Sequence, residues 1–217
     1  MTFTIDIWSD VVCPWCYIGK RRFERALEGF AHRDDVTVTW HSFELDPEAE
    51  RSPAGTNAER LASKYGMSVE EAAARHAQIT ALAAEEGLEY HLDRARGGNT
   101  FDAHRLIHLA ASHGLQGAAK ERLMHAYFTE GEPIGDPEAL ARLVSEIGVD
   151  AGEARAVLAS DRFAEEVRAD EALAHRFGIH GVPYFVLGRR YGVSGAQPAE
   201  LLASALDQAW TELHAAA

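Results

Sequence analysis

Ser9-Asp10-Val11-Val12-Cys13-Pro14-Trp15-Cys16 is the stretch on which the reading of this chain turns. Before it, Phe3, Ile5 and Ile7 alternate with Thr4, Asp6 and Trp8. That period of two predicts a strand over residues 3 to 8. After it, Cys16, Phe23, Leu27 and Phe30 recur at helical spacing, and Pro14 suits the first turn of a helix. A helix is therefore expected to about Phe30. Residues 36 to 43 alternate again and read as a second strand. Strand, helix, strand implies a parallel pair joined by a crossover.

Working outward, the middle of the chain is helix-like. Residues 55–66 and 68–87 are rich in Ala and Glu; further helical stretches fall near 101–113, 117–130 and 137–147, with two more between 150 and 177. Asn99-Thr100 reads as a helix cap. Leu140, Leu143, Val144 and Ile147 form one apolar stripe, and Phe163, Val167, Ala174 and Phe177 another. Towards the end, Gly178 to Pro183 is a punctuated turn, Tyr184 to Leu187 a short strand and Arg189 to Val193 its return. Leu201, Leu202, Ala205, Leu206, Trp210 and Leu213 mark a final amphipathic helix. The expected class is α/β: a thioredoxin fold, residues 1–45 and 160–217, interrupted by an all-helical insertion over 46–159.

Composition narrows the function. The 217 residues are 47% hydrophobic and 25% charged, ordinary for a globular protein. Thirty-four acidic residues against 21 basic give a net charge of −13. That argues against nucleic acid and anionic membranes as partners. The N-terminus has no basic segment followed by an apolar run, and nowhere do 18 apolar residues follow one another. The expected compartment is the cytoplasm.

The chain has two cysteines, both in one Cys-x-x-Cys. A structural disulfide framework uses scattered pairs. A closed zinc site takes four ligands, and no second cysteine pair exists, so no metal is expected. Cys13 falls where the helix begins, facing unpaired amides and the positive end of the dipole, which favour a thiolate. Cys16 lies one turn inside, on the stripe with Phe23. An exposed nucleophile beside a shielded resolving thiol is what exchange through a mixed disulfide requires.

Other residues are more open. A proline directly before an apolar strand, as in Val182-Pro183, removes a ladder donor. A cis peptide in a tight turn accounts for it, as does a trans proline at a strand start. Asp6 is either a proton relay to Cys16 or a strand aspartate facing water. Lys20, Arg21 and Arg22 read as a solvated helix face.

Four motifs in order, Asp10 to Cys16, Asn99-Thr100-Phe101-Asp102-Ala103-His104-Arg105, Gly181-Val182-Pro183-Tyr184-Phe185 and Ser194-Gly195-Ala196-Gln197-Pro198, make the chain resemble the FrnE-like branch of the DsbA family. The resemblance spans nearly the whole chain. It implies thiol–disulfide oxidoreductase activity on protein or small-molecule disulfides. Cys13 would be the nucleophile, Cys16 the resolving thiol and Pro183 the cis proline facing them. Val182 would offer backbone hydrogen bonds to substrate, which would also meet Pro14, Trp15, Asn99 and His104. No cofactor is implied beyond the cysteine pair itself, with glutathione as a candidate co-substrate. Pro14-Trp15 departs from strongly oxidising DsbA proteins, which commonly carry a histidine beside the second cysteine; a less oxidising potential is expected. Kappa-class glutathione transferases and 2-hydroxychromene-2-carboxylate isomerases share the fold and use serine where this chain has Cys13. They make a glutathione-dependent isomerase or transferase the alternative. A non-catalytic chaperone or binding protein is the third reading.

Overall fold

The computed structural model describes residues 3–215. The chain divides into two compact units, Met1–Leu45 with Arg168–Ala217, and Asp46–Val167.

In the first unit, β1 (Phe3–Ser9), α1 (Pro14–Glu28) and β2 (Val36–Ser42) form the expected parallel pair. β3 (Tyr184–Leu187) lies antiparallel to β1, and β4 (Tyr191–Ser194) antiparallel to β3. The sheet order is β2-β1-β3-β4, which puts β1 in the interior. Alternation along β1 decides the packing. Phe3, Ile5 and Ile7 enter an apolar cluster with Phe23 and Phe30 from the first helix region, Trp40 of β2, Phe185 of β3, and Leu202 and Leu206 of α9 (Ala199–Ala215). Each such side chain is worth roughly 1.5–3 kcal/mol when buried. Trp8 points to the opposite face and meets Ala174, Ile179 and Val186. The thioredoxin fold expected from the ends of the chain is the fold observed.

The second unit holds α2 (Asn57–Tyr65), α3 (Val69–Glu85), α4 (Phe101–Ser112), α5 (Gln116–His125), α6 (Pro137–Ser145), α7 (Ala151–Leu158) and the start of α8 (Ala164–Arg176). No strand occurs in it among the described residues. Helices α2 and α3 each start with a capping box, Thr56 with Glu59 and Ser68 with Glu71. Leu140, Leu143 and Val144 are fully buried, as their stripe requires.

Three expectations need correction. The sheet-bearing unit resumes at Arg168 rather than at 160. The cause is Arg105 of α4, whose guanidinium donates to the carbonyls of Val157, Ser160 and Arg162 and ties that turn to the helices. The helix expected over 117–130 is α-helical only to His125; Ala126–Glu130 widens into a π turn that ends at Gly131. The stripe from Phe163 to Phe177 is not continuous. Phe163 precedes α8 with a φ of 63°, and Phe177 is 53% exposed, so only Val167 and Ala174 are buried.

Candidate active site

Cys13 is the N-cap of α1, with extended backbone (φ −84°, ψ 114°), and Pro14 opens the helix. Its backbone is held on both sides. The Cys13 amide donates to Asp10 O at 3.3 Å, and the Cys16 amide donates to Cys13 O at 3.0 Å. Cys13 Sγ donates to Val182 O at 3.6 Å. The Val182–Pro183 peptide is cis. Both cysteines are free thiols.

Glycine lets the elements come this close. A Cβ on Gly19 of α1 would lie 2.8 Å from Pro183 Cγ and 3.4 Å from Ala196 Cβ. The turn after β4 closes the arrangement, because the Gly195 amide donates to Pro183 O at 2.8 Å and Arg22 donates to Ala196 O at 2.7 Å. Three of the four sequence motifs thus converge within one unit: the cysteine pair, Val182-Pro183 and Ser194 to Pro198.

Cys13 is 4% exposed and Cys16 1%. The picture of an exposed nucleophile beside a shielded partner is corrected to two buried sulfurs, the first of them turned in against Val182 O. The outward element is Trp15, 43% exposed.

The remaining candidates fall elsewhere. Asn99 Oδ1 accepts from the Phe101 amide at 3.0 Å and its Nδ2 donates to Pro47 O at 2.9 Å. It caps α4, a task expected of Asn99-Thr100 and done by Asn99 alone, since Thr100 makes no side-chain cap bond. His104 is buried within α4, at 1% exposure. Both belong to the helical unit. Asp6 neither faces water nor points towards α1. It shares the face of Trp8, where His41 Nε2 lies 2.9 Å from its Oδ1. Lys20 also departs from expectation. It is 5% exposed and paired with Glu24 at 2.5 Å, so the basic run is not a solvated face.

A charged network on this far face was missed by the sequence reading. His41 Nδ1 lies 2.5 Å from Asp170 Oδ1, and the His41 ring stacks on Trp8 with centroids 4.4 Å apart. Asp170 Oδ2 accepts from the Ser42 amide at 2.8 Å, and its backbone carbonyl accepts from Trp8 Nε1 at 3.0 Å. Burial alone would lower the His41 pKa. Hydrogen bonds and charge from Asp170, then Asp6, outweigh it and raise the value to about 9. Just beyond β2, the Glu44 carboxyl meets Arg168 at 2.6 Å. Burial pushes Glu44 up, Arg168 pulls it down and Glu171 pushes it up again, to about 7. The Leu45 amide in turn donates to Asp10 Oδ2 at 2.9 Å, three residues before Cys13. The only local sign of this network was the alternation that placed residue 41 on a strand.

A helix-capping Cys-x-x-Cys thiol against a cis-proline turn, on a thioredoxin sheet, defines a thioredoxin-type thiol–disulfide oxidoreductase fold. The chain belongs to the DSBA-like thioredoxin domain family, whose model matches residues 4–207. It is similar to a probable DsbA oxidoreductase from Streptomyces coelicolor, 48% identical, with a TM-score of 0.93 over 97% of this chain and 91% of that one. Two more distant structures share the fold alone. One is the cytosolic disulfide reductase DsbM from Pseudomonas aeruginosa with GSH: 19% identity, TM-score 0.64, 98% of each chain. The other is a 2-hydroxychromene-2-carboxylate isomerase: 14% identity, TM-score 0.71, 99% of each chain.

Proposed function

We propose that this chain is a dithiol–disulfide oxidoreductase acting through Cys13-Pro14-Trp15-Cys16 on protein or small-molecule disulfides, in the cytoplasm, with glutathione as a co-substrate. The observation that carries the reading is Cys13 Sγ at the N-cap of α1, 3.6 Å from Val182 O of the cis Val182–Pro183 turn.

The reaction follows from that placement. The Cys13 thiolate attacks one sulfur of a substrate disulfide. The S–S bond breaks, the leaving thiolate takes up a proton, and a mixed disulfide joins Cys13 to the other half. Cys16, after losing its proton, attacks the Cys13 sulfur and releases the second half as a thiol. One disulfide has been reduced to two thiols, and the Cys13–Cys16 dithiol oxidised to a disulfide. The reverse order oxidises a substrate. An extended substrate strand beside the proline turn takes its backbone hydrogen bonds from Val182, and Trp15 supplies apolar contact. The cytosolic reductase crystallised with glutathione supports glutathione as the reductant. Possession of both sulfurs, where the isomerase and transferase relatives are expected to use serine at the first position, favours redox exchange over glutathione activation.

The test is turnover of insulin and of a small aromatic disulfide. Wild type is expected to reduce both, and Cys13→Ser to lose at least about a hundredfold, since no second nucleophile stands at the helix start. Brief alkylation of the reduced protein, with mapping of the label, is expected to find Cys13 modified before Cys16. Turnover that survives Cys13→Ser, or Cys16 labelled first, would overturn the assignment of roles.

A further inference from the structure

The helical unit contains a cavity of about 690 Å³, walled by residues 51–60, 93–97 and 133–137. Four arginines line it, Arg51, Arg60, Arg94 and Arg96, against two acids, Asp93 and Asp136. In a chain of net charge −13 this is a local reversal of sign. Two of the four, Arg94 and Arg96, make no ion pair among the described residues. Arg51 pairs with Asp102 at 3.0 Å. Arg60 donates only to backbone, Gly55 O at 2.6 Å and Ala95 O at 3.5 Å, and Arg96 Nε to Gly131 O at 2.7 Å. Carbonyls orient a guanidinium without neutralising it. Asp136 spends Oδ1 on the Ala139 amide at 2.7 Å, capping α6. Glu59, next to Arg60 in the chain, is engaged in its capping box with Thr56.

The cavity is also built in advance. The backbone at Arg51 passes between Gly98 and Gly135, and a Cβ on either would collide with the Arg51 carbonyl oxygen. A Cβ on Gly98 would further lie 3.0 Å from Gly135 Cα. The three walls are therefore locked by close backbone approach rather than left to float.

We propose that this cavity binds a small organic polyanion bearing phosphate or several carboxylates. Its volume falls within the usual range for small-ligand sites, roughly 300–1,000 Å³. The planar fork of arginine matches both oxyanions in a bidentate way, which a lysine would not. Asp93 and Asp136, on two of the walls, accept from hydroxyl or amine donors, so the occupant carries donors as well as negative charge.

The experiment is isothermal titration of the full-length chain at low salt with two probes, inorganic pyrophosphate and citrate. At least one is expected to bind saturably and to weaken as salt rises. Pyrophosphate alone marks the phosphate class, citrate alone the carboxylate class, and both support the site. Arg94→Ala/Arg96→Ala is expected to weaken binding at least about tenfold, and Arg94→Ala alone about threefold. The single variant guards against misfolding, because the Arg94 guanidinium holds no other group. Arg25→Ala, on α1, is expected to bind like wild type. No saturable heat with either probe up to about 10 mM, or unchanged binding by the arginine variants, would overturn the proposal.

Discussion

On one face of the sheet, Phe3, Ile5, Ile7 and Phe185 meet α1 and α9 in a large apolar cluster. On the other, Asp6 and His41 meet Asp170 of α8 beside a smaller apolar set of Trp8, Ala174 and Ile179. The helix that carries the cysteines is thus held against the sheet mainly by apolar packing. The helix that leads to the Val182–Pro183 turn is held by charge as well as by that smaller apolar set. Hydrophobic burial is indifferent to pH, whereas a histidine between two carboxylates is not. The two halves of the cysteine site, Cys13 and the proline turn, are therefore expected to respond differently to conditions.

The largest effect expected is on the apolar face. Phe23→Ala removes a ring that is 2% exposed and packed 5.6 Å from the ring of Phe185. The cost should be about 3–5 kcal/mol, from lost transfer energy and the cavity left behind. Urea unfolding at pH 6 and pH 9 should give the same loss. A loss that differs strongly between the two would break the contrast between faces.

Next in size is Asp170→Asn. It takes a charge from the His41 imidazolium and weakens the tie to the Ser42 amide. Removing one member of a buried, hydrogen-bonded charge cluster should cost roughly 3 kcal/mol at neutral pH. Cys13 alkylation should keep its rate in the folded variant, because α1 rests on the other face. A large change in that rate would show that the faces are coupled.

Which parts of this were legible in the sequence follows from how local each signal is. The alternation Phe3-Ile5-Ile7 and the stripe Cys16-Phe23-Phe30 are carried by neighbours, so the first strand and helix could be read directly. Val182-Pro183 stood out because a proline beside an apolar strand needs a reason. The charged face is different. Asp6 reaches His41 through the parallel register that sets Trp8 beside His41, and reaches Asp170 only across 164 positions of chain. No periodicity records such a meeting. Lys20 was misread for a similar reason, since helical charge runs are usually solvated and its burial comes from the fold around it. Cys13 was expected to be exposed because a helix start normally faces water; its contact with Val182 O depends on a turn 169 residues away.

The histidine at the centre of the charged face should make stability depend on pH. The folded-state pKa of His41, about 9, lies above the unfolded value of 6.5. Its contribution is therefore complete below pH 6.5 and is lost as pH rises through 9. The wild type should lose on the order of 2 kcal/mol over that window. His41→Phe keeps an aromatic ring against Trp8 and should flatten the slope between pH 7 and 9.5. An unchanged slope would mean that the histidine is not the group that titrates.

Glu44 should give the smallest effect, and it sharpens the contrast within the charged side itself. Its folded pKa of about 7 is also raised, from 4.5, but the group is an acid. Between those values the folded state holds a proton that the unfolded state has released, so stability falls as pH rises from 4.5 to 7. Arg168 offsets part of the cost of ionising the buried carboxylate, and Glu171 adds to it. Glu44→Gln mimics the protonated form. Near pH 5 it should match the wild type within about 0.5 kcal/mol, and by pH 8 it should gain about 1 kcal/mol relative to it. The gain is small because glutamine also gives up the charge-assisted bond to Arg168, which is half in water. Chemical denaturation at the two pH values reads the difference directly. If the variant instead loses stability at pH 8, the Arg168 pair outweighs the burial of Glu44, and the end of β2 is held by attraction rather than strained by charge.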